Sequence, residues 1–183
     1  MVRRNIIMVL VALGLFVPVL VGAQTQVVAL GSAQLTTITP EDTTEGKVFV
    51  LAVSVPQAPA GARLMSAMME LVVDASSALP AAAPSHVVTL EIFPLAGALS
   101  GLAVESVDLR PTTMKRSVPV GTNQRVRMDV TEFVEYVLAN PEENYGIAVG
   151  SLAGSRPGRF ELKSQGQDVA TLTIRYLPAD LQP

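Results

Sequence analysis

Apolar and polar residues alternate along most of this chain, and a two-residue period is typical of β-strands rather than helices. Between Leu64 and Val73, one set of alternate positions is apolar while the other set is mixed. Such a segment predicts a strand with one face on a core and the other near solvent. The segment 47–55 is apolar on both faces, so we expect it to be a central strand.

Five further segments have strand patterns, and turn-forming residues separate them. These segments are 86–93, 124–130, 145–150, 158–164 and 169–176. Seven or more short strands predict an all-β fold, a jelly-roll-like β-sandwich. We expect the sandwich to occupy residues 47–177. Residues 24–46 are expected to form edge strands or a loose polar arm, and 178–183 a frayed tail.

One segment departs from the two-residue period and predicts a short helix at 131–139. Its apolar residues recur at helical spacing; they are Phe133, Val134, Val137 and Leu138. Thr131 is placed to cap the N-terminus, and Glu132 lies in the first turn, where the helix dipole favours a carboxylate. Pro141 ends the helix because proline disfavours helical geometry at the preceding residue. We expect this helix to cover one open end of the sandwich.

The N-terminal residues indicate export. Arg3 and Arg4 precede an apolar run at 6–21, and small residues at 21–23 match a signal-peptidase site. We predict a signal peptide at 1–23, with a retained anchor as the alternative because the run approaches spanning length. No later segment is apolar enough to span a membrane. The expected location is therefore periplasmic, cell-surface or secreted.

Charge and composition exclude several functions. The chain has a formal net charge of −3, and it becomes more negative without Arg3 and Arg4. An acidic surface suits phosphate backbones poorly, so we expect no nucleic-acid partner. The sequence has no cysteine, which excludes thiolate chemistry and fits a bacterial envelope protein of this size.

Few side chains are candidates for catalysis or metal binding. His86 is the single histidine, and a lone histidine lacks the partners of a metal site or a catalytic triad. Four acidic residues surround the helix and predict a solvated rim, with a loose Ca²⁺ site as the alternative; they are Glu132, Glu135, Glu142 and Glu143. We expect no catalytic residue, no metal and no cofactor, and hence a non-enzymatic protein.

Three residues are candidates for ligand binding. Arg125 and Arg127 lie on the outer face of their predicted strand, where guanidinium groups could hold an acidic polysaccharide by charge-assisted hydrogen bonds. Tyr136 could serve as an aromatic platform for a sugar in a chain that has no tryptophan. The alternative is that the arginines only keep the outer face soluble.

Three blocks of sequence resemble a known domain. Residues 48–73 contain a Pro-Ala-Gly-Ala turn, 127–149 contain an Asp-Val-Thr helix entry followed by Asn-Tyr-Gly, and 159–176 end in a strand closed by Tyr176. This order resembles the DNRLRE-type domain of bacterial and archaeal surface proteins, which is similar to certain alginate-binding carbohydrate modules. The resemblance implies that 159–176 form a final hairpin and that the domain is a carbohydrate-binding-like β-sandwich.

The sequence therefore predicts an exported, non-catalytic β-sandwich module. Its expected role is structural, adhesive or binding, in the cell envelope or the extracellular space. The alternative is a carbohydrate-binding module for an acidic polysaccharide. The expected partner is a glycan or an envelope protein.

Overall fold

The computed structural model describes seven parts of the chain: 23–31, 35–38, 48–77, 87–100, 114–150, 158–164 and 166–181. The predicted signal peptide up to residue 22, and His86, lie outside the described residues. The strands, in chain order, are β1 (Gln24–Gly31), β2 (Leu35–Ile38), β3 (Val48–Leu51), β4 (Arg63–Ser77), β5 (Val87–Pro94), β6 (Met114–Pro119), β7 (Gly121–Asp129), β8 (Ile147–Gly150), β9 (Gly158–Leu162) and β10 (Asp168–Leu177). The helix α1 spans Thr131–Ala139.

These strands form two antiparallel sheets. Sheet A has the order β1-β10-β4-β7, and β9 also pairs with β4. Sheet B has the order β2-β3-β8-β5-β6. The all-β sandwich with one helix is therefore confirmed, while the jelly-roll connectivity stays a prediction. β1 and β2, which come from the polar N-terminal segment, are edge strands of the two sheets.

The core between the sheets is built from the apolar alternate positions. In β4, Ala67, Met69, Leu71 and Val73 are fully buried, as the alternation predicts, whereas Met65 at the start of the same alternating set is exposed. In β7, Val126 and Met128 are buried while the two arginines are exposed. Burying each large apolar side chain contributes about 1.5–3 kcal/mol, so this periodic pattern supplies the main stabilisation of the sandwich.

β3 is buried on both faces, as its unbroken apolar sequence predicts. It lies between β2 and β8 in sheet B. Phe49 and Leu51 face the core between the sheets. Val48 and Val50 belong to a second apolar cluster, which also contains Phe93, Leu95 and Ala148. Two apolar environments therefore explain why this strand lacks a polar face.

The predicted final hairpin is wrong. β9 and β10 do not pair with each other in the described residues; both pair antiparallel to β4, at successive positions along it. The Lys163 N–H continues this pairing by donating to Val72 O at 2.8 Å. β9 and β10 therefore run in the same direction along β4 instead of reversing against each other. At the C-terminus, the predicted frayed tail contains a short 3₁₀ turn at Ala179–Leu181.

The helix α1 has the predicted bounds, but Thr131 is not its N-cap. Val130 occupies that position. The Asp129 carboxylate accepts the Thr131 N–H at 2.9 Å and the Thr131 hydroxyl at 2.6 Å. The Thr131 hydroxyl oxygen in turn accepts the Ala67 N–H of β4 at 2.9 Å. Thr131 therefore links the helix to sheet A. Its hydroxyl accepts the N–H of Ala67, which lies one residue beyond the last residue pair between β4 and β7.

Candidate functional site

A groove opens where an edge strand of one sheet faces an edge strand of the other. β6 ends sheet B and β7 ends sheet A, and a bend at Val120 joins them. The groove has a volume of about 330 Å³, near the lower end of the range of about 300–1,000 Å³ for ligand pockets. It is lined by Arg116, Ser117, Val118 and Pro119 of β6 and by Arg125, Val126 and Arg127 of β7. We call it the arginine groove.

Glu70 of β4 orients the two β7 arginines. It lies directly opposite Arg127 in the sheet register, and the next β4 residue on the same face, Val72, lies opposite Arg125. Arg127 Nε is 2.5 Å from Glu70 Oε2, and Arg125 Nη1 is 3.4 Å from Glu70 Oε1. Cross-strand pairs of opposite charge stabilise a sheet modestly. Here one carboxylate is shared by two guanidinium groups.

Both arginines retain hydrogen-bond donors for a ligand. A guanidinium carries five N–H donors in a planar fork. Because Arg127 contacts Glu70 through Nε, the two terminal nitrogens of Arg127 are left for other acceptors. The side chains of Arg125 and Arg127 are 68% and 71% exposed. The arrangement therefore places two guanidinium groups beside Glu70 and leaves them accessible to solvent.

Arg116 brings a third guanidinium to the groove from the other sheet. Within the described parts of the chain it has no acidic partner, and it is exposed. The groove thus places three positive charges beside the single carboxylate of Glu70, in a chain whose net charge is −3. Sequence patterns did not indicate Arg116, because the alternation in β6 is too weak to predict a strand there.

Tyr136 lies outside the arginine groove. It is on α1 and lines a second pocket, and its hydroxyl donates a hydrogen bond to Glu143. No aromatic side chain among the described residues lines the arginine groove. The structure therefore brings Arg125 and Arg127 together but places the predicted sugar platform elsewhere.

The other two tyrosines have contrasting surroundings. Tyr176 is fully buried between the sheets, and desolvation by burial raises the pKa of its hydroxyl. Tyr145 is partly exposed after the short 3₁₀ turn Pro141–Glu143. Tyr176 therefore belongs to the core, whereas Tyr145 does not.

Two carboxylates have lowered pKa values for structural reasons. Hydrogen bonds from Thr131 lower the pKa of Asp129 at the start of α1. A hydrogen bond from Lys163, together with one from the Asn123 N–H, lowers the pKa of Asp74. The interaction with Asp74 in turn raises the pKa of Lys163. Asp129 accepts hydrogen bonds from Thr131 at the start of the helix. Asp74 links β4 to Asn123 of β7 and to Lys163, which follows β9. Neither lines the arginine groove.

Metal ligands are not grouped in the described residues: no three His, Asp or Glu side chains there lie close enough to hold an ion. Around α1, Glu132, Glu135 and Glu142 are exposed and Glu143 is half-buried.

In the described parts of the chain, no helix has the length and apolar character needed to cross a membrane.

No protein-family model matches the chain, and comparison with curated proteins finds none related by sequence.

Proposed function

We propose that this chain is an exported, non-catalytic binding module of the cell envelope or extracellular space, and that the arginine groove holds an acidic polysaccharide. The single observation that carries the proposal is the convergence of Arg116, Arg125 and Arg127 from two sheets on one groove. Guanidinium groups bind carboxylates through paired, charge-assisted hydrogen bonds. A uronate-rich chain offers such carboxylates at regular intervals.

The sequence resemblance supports the same class of ligand. The DNRLRE-type domain is similar to alginate-binding modules, and alginate is a polyuronate. Arg125 and Arg127 are two residues apart on one strand, so their Cα atoms are about 7 Å apart on the same face. Arg116 lies across the groove on β6. Charges on both walls suit an elongated anionic chain better than a single small anion.

Each contact contributes little on its own. An exposed ion pair is typically worth about 0.2–1 kcal/mol, and physiological salt screens exposed charges beyond about 8 Å. We therefore expect weak binding of a monosaccharide and tighter binding of a polymer, since linked units raise the effective concentration at the site. Binding should weaken as the salt concentration rises.

The test is calorimetric titration of the purified protein with alginate, using dextran as a neutral control. Wild type should bind alginate but not dextran, and the double variant Arg125→Ala/Arg127→Ala should lose most of the affinity. Arg159→Ala/Arg175→Ala is the matched control, because it removes the same charge from exposed positions on β9 and β10. Equal losses in the two double variants, or binding that is insensitive to salt, would refute a specific groove.

A second candidate is a structural or adhesive role with an envelope protein as the partner. β1 favours it: this eight-residue edge strand has no charged residue and no proline, and among the described strands it pairs only with β10. Such an edge can accept a strand from another protein. Val27 on β1 is exposed, so Val27→Lys should block protein binding in this case and leave alginate binding unchanged.

A further inference from the structure

A second pocket lies between α1 and sheet B, and its walls are mostly apolar. Phe133, Tyr136 and Val137 line it from the helix, and Leu95 and Met114 line it from the sheet side. Its volume is about 230 Å³, below the range of about 300–1,000 Å³ for drug-sized ligands. The pocket therefore suits a group about the size of an amino-acid side chain.

The charge at this pocket is opposite to that of the arginine groove. Glu132 and Glu143 line it, and no lysine or arginine does so in the described part of the chain. The Tyr136 hydroxyl donates to Glu143, which holds that carboxylate against the ring edge of Tyr136. Among the described lining residues, an anionic ligand would meet two carboxylates and no lysine or arginine.

The combination of aromatic rings, a thioether and carboxylates favours an organic cation. The faces of tyrosine and phenylalanine attract an ammonium group through the ring quadrupole, and methionine adapts to an apolar stem. Glu132 lies in the first turn of α1, and its carboxylate is exposed at the pocket. We propose that this pocket binds a small primary ammonium ion carried on a short aryl or alkyl stem.

This site is independent of the acidic-polysaccharide proposal, because the two pockets share no lining residue among those that the structure describes. The stem would lie against Phe133 and Met114, and the ammonium would lie near Glu132 and the ring of Tyr136. A neutral analogue would keep the apolar contacts and lose the charge interaction. A carboxylate analogue would be repelled.

The experiment is a titration of ¹⁵N-labelled protein followed by ¹H–¹⁵N spectra, with phenethylammonium as the probe. Phenethyl alcohol and 3-phenylpropionate are the neutral and anionic analogues of similar shape. We expect saturable shifts of α1 amides and of the Met114 amide with the ammonium, weaker effects with the alcohol and none with the carboxylate. The Arg125→Ala/Arg127→Ala protein should bind the ammonium as wild type does.

Glu132→Gln tests the charge directly and should weaken ammonium binding about twofold to fivefold, the effect of losing an exposed ion pair. Glu135→Gln is the matched control, because Glu135 is exposed on α1 and does not line the pocket. The proposal is overturned if the ammonium gives no saturable shifts, if the alcohol binds as tightly, or if the two glutamine variants weaken binding equally.

Discussion

Truncation of Phe133 tests whether α1 stabilises the sandwich as a cover on its core. Phe133 is 5% exposed and packs in the main core cluster, together with Val134 and Val137 of the same helix. Truncating a buried phenylalanine to alanine costs about 3–5 kcal/mol, from lost transfer energy and the cavity that remains. Here the ring already borders a pocket of about 230 Å³, so it has fewer neighbours to lose on that side. We therefore expect a cost near the lower end, about 3 kcal/mol.

The assay is thermal unfolding of Phe133→Ala followed by circular dichroism. For a protein of this length, each kcal/mol lowers the melting temperature by about 2–4 °C, so about 3 kcal/mol corresponds to about 6–12 °C. Glu135→Ala is the control on the exposed side of the same helix, where substitutions usually stay within about 0.5 kcal/mol. If the two variants melt at the same temperature, the burial of Phe133 by α1 does not stabilise the sandwich.

Three further perturbations test the helix start and two glycine turns. Thr131→Val should cost about 1–3 kcal/mol in chemical unfolding, because it leaves a β4 amide without an acceptor, and Thr131→Ser should restore most of the loss. In the unfolded chain Asp129 has a pKa of about 4, and in the fold its pKa is lowered. The ionised carboxylate therefore stabilises the fold at pH values above about 4, and this contribution is lost as the pH falls through the folded-state pKa. The melting temperatures of wild type and Asp129→Asn should therefore converge below about pH 4; a constant gap would contradict this assignment. Gly146→Ala should destabilise more than Gly166→Ala in urea melts. Both glycines have positive φ, but a Cβ on Gly146 would lie 2.3 Å from Leu51 O, whereas a Cβ on Gly166 meets nothing within 4 Å. Positive φ alone costs about 1–2 kcal/mol, and the clash adds about 1–3 kcal/mol.

The local patterns predicted the parts of the fold whose signal lies in consecutive residues. The alternation around Met69 and Val126 identified inward faces, since each buried side chain contributes independently of what pairs with its strand. The bounds of α1 followed from its apolar stripe and from Pro141. In each case the apolar residues of the segment recur with the period of the element that it forms, which is two residues for a strand and 3.6 for a helix.

Long-range pairings were not predictable in this way. β6 has only one fully buried residue, Val118, so its sequence lacks the alternation of a half-buried strand. The common direction of β9 and β10 depends on their shared partner β4, and nothing in residues 164–167 distinguishes an interruption from a hairpin turn. Thr131 similarly bonds an amide 64 positions away. Arg116 lies in the candidate site because β6 is an edge strand of sheet B and faces β7 of sheet A, and no local sequence pattern predicts that placement.

The most direct test of the proposed function locates alginate on the protein. We would titrate ¹⁵N-labelled protein with a short alginate oligosaccharide and map the shifted backbone amides. The proposal predicts saturable shifts at residues 116–119 and 125–127, which line the arginine groove, and their loss when salt is raised. Saturable shifts confined to other surfaces, or no shifts at all, would contradict the assignment of this groove as the polysaccharide site.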